Sequence, residues 1–83
     1  MNVERFNKML SNDAMFAREV FSLAMDGSWP YSLSEEFVLV EDQEFGDIFA
    51  LTEAELHDGN HNGLYTIVRS DGTKECVAVG RSI

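Results

Sequence analysis

The hydrophobic spacing of this chain changes once, around Gly27 to Pro30, and that change limits the folds open to it. Before it, Val3, Phe6, Leu10, Ala14, Ala17, Phe21 and Ala24 recur three and four residues apart, the period of one helix face. Arg5, Lys8, Asn12, Arg18, Glu19, Ser22 and Asp26 fill much of the opposite face. Gly27 suits the left-handed position just past a helix end, and Pro30 prevents the helix from resuming. After it, apolar residues come in short runs rich in β-branched and aromatic side chains.

Ser11, Asn12 and Asp13 interrupt the helical stretch with residues that favour N-cap positions. The pattern predicts a short helix over about 2 to 10 and a longer one over about 12 to 26, with a single bent helix as the alternative. Trp29, Pro30 and Tyr31 then form an aromatic loop among Ser28, Ser32 and Ser34.

Phe37, Val38, Leu39 and Val40 within Glu36 to Glu41 read as a strand buried on at least one face. The polar turn Asp42 to Glu44 leads into Phe45 to Leu51, which pairs back as a hairpin. Thr52 to Glu55 has the form of a capping box, so a helical turn to about His57 competes with continuation of the strand. Leu64 to Arg69 and Lys74 to Gly80 flank Ser70-Asp71-Gly72-Thr73, whose Asp-Gly pair predicts a type I′ hairpin. The fold expected is α+β: two N-terminal helices, or one bent helix, packed on a small, mostly antiparallel sheet of three or four strands ending in a β-hairpin.

With 83 residues, residues 1–83 make a single domain around one core. The hydrophobic fraction of 45% argues for a folded core and against a disordered acidic tail. No apolar run reaches the roughly 18 residues of a membrane span, and MNVERFNKML has charges where a signal peptide needs an apolar core. A single cysteine, Cys76, forms no internal disulfide, which points to a reducing cytoplasm.

Charge is the strongest functional signal. The chain holds 15 acidic against 6 basic residues, for a net charge of -9. From Glu19 to Val68, fifty residues carry eleven acids and no Lys or Arg. Such a surface repels phosphates, which disfavours direct nucleic-acid binding. It steers association with a basic partner, while the alternative is a solvated face that keeps the protein soluble. The candidate partner-binding residues are Glu35, Glu36, Glu41, Asp42, Glu44, Asp47, Glu53, Glu55 and Asp58, with Trp29 and Tyr31 as aromatic anchors. The large apolar area of Trp29 favours closing the end of the core beneath the helix over an anchoring role. Carboxylates two apart on a strand stand ~6.6 Å from each other, an interval like that between phosphates, so Glu53 with Glu55, or Asp42 with Glu44, could imitate nucleic-acid backbone.

Asp58-Gly59-Asn60-His61-Asn62-Gly63 matches the opening of a calcium loop, with Asp58, Asn60 and Asn62 as side-chain ligands. The match fails at the twelfth position, where Arg69 stands in place of a bidentate Glu. His57 and His61 are four apart, but Gly59 between them opposes a helix. No nucleophile with a base, no phosphate cradle and no carboxylate in an apolar pocket is legible, so no cofactor and no catalysis are expected.

In size and charge the chain resembles the small acidic inhibitors of bacteriophages and mobile elements, among them DNA mimics and anti-CRISPR proteins, and also nuclease immunity proteins. That likeness rests on size and charge and carries no residue across. It implies an inhibitor or adaptor that covers a basic, nucleic-acid-binding surface of another protein in the cytoplasm, or in the host cytoplasm for a phage-encoded protein. A regulatory interaction module, homodimeric or not, acting through an apolar loop or sheet edge is the second expectation. A weak calcium-binding module is the third.

Overall fold

Asp13 divides the helical stretch in two. In the computed structural model, which describes residues 2–80, its backbone is extended (φ -140°, ψ 97°) between α1 (Val3–Asn12) and α2 (Ala14–Met25). Its carboxylate accepts the N–H of Phe16 at 3.0 Å and so caps α2. The first helix runs to Asn12, not to about residue 10, because the cap is Asp13 and Ser11 turns its hydroxyl back onto the Lys8 carbonyl. At the far end of α2, Gly27 adopts φ +97°. Its N–H bonds the Ala24 carbonyl and that of Ser28 bonds Leu23, the paired contacts that close a helix through a left-handed residue.

Four strands follow, β1 (Val38–Asp42), β2 (Ile48–Leu51), β3 (Gly63–Arg69) and β4 (Lys74–Val79), in the spatial order β2-β1-β3-β4 with every pairing antiparallel. The second strand begins at Ile48 instead of Phe45. Asp42 explains the shift: its carboxylate accepts the N–H groups of Glu44 and Phe45 and Gly46 turns at φ +79°, so residues 43–47 are loop.

The β3–β4 connection also differs from the expected type I′ turn. That turn needs positive φ at two residues, and here Gly72 alone has it, at +90°. Gly72 N–H bonds the Arg69 carbonyl and Arg69 N–H bonds that of Thr73, each at 2.9 Å. The loop is therefore the three-residue kind that closes on a left-handed glycine. Asp71 pins it by accepting the Thr73 N–H and hydroxyl, and these bonds hold its carboxyl below the usual carboxylate range.

The sheet buries both faces of β1, which accounts for the unbroken run Val38-Leu39-Val40. On one face Leu39, Ile48, Ala50 and Val68 meet Phe6, Leu10, Ala17, Val20, Phe21 and Ala24 of the helices, with Leu33 from the aromatic loop. On the other, Val38, Val40, Leu51, Tyr65 and Ile67 pack around Leu56. Leu56 arrives on α3 (Glu53–Leu56), a helical turn within the connection from β2 to β3. Thr52 and Glu55 close the expected capping box, so the chain leaves the strand there. Among the described residues no helix is long and apolar enough to cross a membrane.

Candidate interaction surface

The fold sorts the acidic residues into those it uses and those it leaves to solvent. Glu41 points to the helix side of β1, where the Arg18 guanidinium pairs with it and also donates to the Gly46 carbonyl at 2.9 Å. Arg69 sits between Glu53 and Glu75, with nitrogen to oxygen distances of 2.7 Å to each. These bonds raise the Arg69 pKa, and the one to Arg69 holds the Glu53 carboxyl below its ordinary value. Asp42 caps its turn, Glu55 completes the capping box, and Asp58 accepts the Asn60 N–H at 3.0 Å.

Four candidates keep carboxylates with neither an ion pair nor a capping role among the described residues: Glu35, Glu36, Glu44 and Asp47. They lie at opposite ends of β1. Glu35 and Glu36 precede it, beside the β3–β4 loop, where Ser70 donates to the Glu35 carbonyl. Glu44 and Asp47 flank the β1–β2 turn. The spacing argument for a nucleic-acid mimic does not carry over, because Glu53 and Glu55 stand on α3 and Glu44 stands in a turn.

The two aromatic candidates part company. Trp29 is half-buried against the helix-side core and donates its indole N–H to the Leu33 carbonyl at 3.0 Å. Tyr31 is fully exposed. Phe45, read from sequence as the start of a strand, is 73% exposed at the tip of the β1–β2 turn between Glu44 and Gly46. An apolar ring beside unpaired acids is a feature that sequence reasoning missed, since alternation alone placed Phe45 inside the sheet.

The 58–63 loop is organised by its own contacts. Besides the Asp58 turn, the Asn62 carbonyl accepts the Tyr65 hydroxyl at 3.2 Å, and the Asn62 side chain lies against Gly80. His61 stacks on Phe49 with ring centroids 5.8 Å apart. The Asp58 carboxylate is engaged by the Asn60 N–H, and among the described residues no group of three His, Cys, Asp or Glu side chains gathers. Tyr65 lies in this cluster, where burial and then the Asp42 carboxylate push its phenol pKa up. A groove of about 680 Å³ between the helices and the start of β2 carries mixed charge from Glu4, Lys8, Arg18 and Asp47.

The two sheet edges are treated differently. At β2, the Asn7 side chain of α1 bonds both the N–H and the C=O of Ala50, at 2.6 and 2.8 Å. At β4, Lys74, Glu75, Cys76 and Ala78 are exposed, and the helices pack mainly over β1 and β2. Gln43 spans the uncovered part, donating to Thr66 at 2.6 Å and Cys76 at 3.2 Å. No family model, curated protein or solved structure matches the chain.

Proposed function

We propose that the protein is a non-enzymatic inhibitor or adaptor that acts in the cytoplasm by covering a basic, nucleic-acid-binding surface of a partner protein. The observation that supports this reading is the β1–β2 turn, which carries the exposed Phe45 next to Glu44 and two residues before Asp47, acids with no ion pair among the described residues. A ring of this kind supplies contact area on desolvation, and the acids supply steering and reject acidic partners. Glu35 and Glu36 extend the negative field at the other end of β1, and the net charge of -9 makes that field long-ranged at low salt.

The test is a tagged pull-down from a cytoplasmic lysate with three baits: the native chain, a Glu44→Lys and Asp47→Lys double variant, and Phe45→Ala. The native bait should recover a nucleic-acid-binding protein that elutes at moderate salt and is displaced by duplex DNA. The charge variant should lose it through slower association, and Phe45→Ala should release it faster. Equal recovery on all three baits, or a partner that resists high salt and ignores DNA, would sink the proposal.

A further inference from the structure

We infer that a second copy of this chain pairs along β4, antiparallel and across a two-fold axis, so that two four-stranded sheets join into one. The hydrogen-bond phase of β3–β4 shows what β4 offers. Arg69 N–H bonds the Thr73 carbonyl, and antiparallel pairs alternate between bonded and non-bonded. In the observed register the backbone groups of Glu75, Val77 and Val79 therefore face β3, opposite Ile67, Tyr65 and Gly63. Those of Lys74, Cys76 and Ala78 face outward, with no strand beside them among the described residues. Cys76-Val77-Ala78-Val79 carries no proline, charge or bulge of the kind that blunts an exposed edge.

Topology and charge together select the occupant. A strand edge joined to the opposite edge of the next copy would grow without limit. Asn7 already occupies the outward N–H and C=O of Ala50 on β2, so self-pairing is confined to β4 against β4 and closes as a dimer. Most of the surface of a chain with net charge -9 repels a second copy, but β4 does not. Glu75 shares Arg69 with Glu53, at 2.7 Å from each, and with Lys74 counted these two acids and two bases carry no net charge at the strand.

The outward phase allows registers that place Cys76 or Val77 on the axis. A register centred on Glu75 would set like charges directly opposite and is disfavoured. With Cys76 on the axis the two cysteines face one another and Ala78 faces Lys74, and with Val77 on the axis Cys76 faces Ala78; both extend the exposed patch that Cys76 and Ala78 form with Leu64, which is 52% exposed.

This dimer needs no other protein, so its test is independent of the partner proposed above. Sedimentation equilibrium of the purified chain from micromolar to millimolar concentration should show twice the 9.4 kDa monomer mass. A short bismaleimide should link the native Cys76 thiols across the axis, since facing residues lie roughly 5 Å apart and diagonal ones ~7–8 Å. Ala78→Pro and Cys76→Pro each remove one outward N–H and no bond to β3, a change edge strands accept. Each variant that keeps the native circular dichroism should sediment as a monomer, and Ala78→Pro, which keeps the thiol, should also lose the cross-link. A native chain that stays monomeric at every concentration overturns the proposal, as does a dimer that persists in a folded proline variant. A monomer whose capture of a foreign protein is lost in Ala78→Pro assigns the edge to that protein's strand and overturns it too.

Discussion

Asn7 closes the outer edge of the sheet by acting on Ala50 as a neighbouring strand would. Its amide nitrogen donates to the Ala50 carbonyl at 2.8 Å, and its amide oxygen accepts the Ala50 N–H at 2.6 Å. The two residues are 43 positions apart, so this one side chain also fastens α1 to β2. Asn7→Ala should destabilise the fold by about 1–2 kcal/mol, the usual cost of two part-buried hydrogen bonds whose partners regain some water. Urea denaturation reads that loss. The same variant frees the β2 edge, so light scattering should detect association beyond the dimer. Asn7→Asp keeps the acceptor but sets a carboxylate oxygen against the Ala50 carbonyl, and at neutral pH should cost at least as much as Asn7→Ala.

The Glu53–Arg69–Glu75 cluster ties α3 to the β3–β4 hairpin and makes acid stability depend on a named residue. Hydrogen bonding to Arg69 lowers the folded-state pKa of Glu53. A carboxyl lowered on folding adds stability that is fully present above its unfolded pKa and disappears as pH falls through the folded value. Glu53→Gln should therefore be less stable than the native chain at pH 7 and equal to it once Glu53 is protonated. Because Glu53 is 45% exposed, solvent screening keeps the difference below about 1 kcal/mol. Paired urea titrations from neutral to acid pH would check it, and a gap that widens on acidification would contradict it.

Leu56 is fully buried, yet it belongs to a single helical turn. Leu56→Ala should cost ~2–5 kcal/mol, since it opens a cavity between α3 and the sheet. Thr52→Ala removes the cap without touching the core and should cost ~1 kcal/mol. Thermal unfolding followed by circular dichroism ranks the two. A larger loss for Thr52→Ala would mean that the capping box, more than the apolar contact, holds α3 in place.

What the chain determined by itself is local. The two helices, the stop at Gly27, the Thr52–Glu55 box and the two hairpins are specified by contacts between residues a few positions apart, and spacing and cap chemistry report such contacts directly. Locality also explains the misreadings near the turns. Phe45 fits a strand by alternation, but the Asp42 carboxylate captures the N–H groups of Glu44 and Phe45 and keeps them in the loop. Asp71-Gly72 fits a type I′ turn by composition, but Asp71 bonds Thr73 and Gly72 alone takes positive φ.

The tertiary structure decided which acids are free, which face of each strand is covered and which edge is open. Arg18 reaches Glu41 across 23 positions and Arg69 reaches Glu53 across 16, so an acidic stretch without a local base is partly neutralised from outside it. Asn7 reads in sequence as one polar residue on a helix, and its partner is an alanine with no distinguishing side chain. No spacing rule connects such a pair, because the bond is made to backbone groups that the strand pairing alone turns outward.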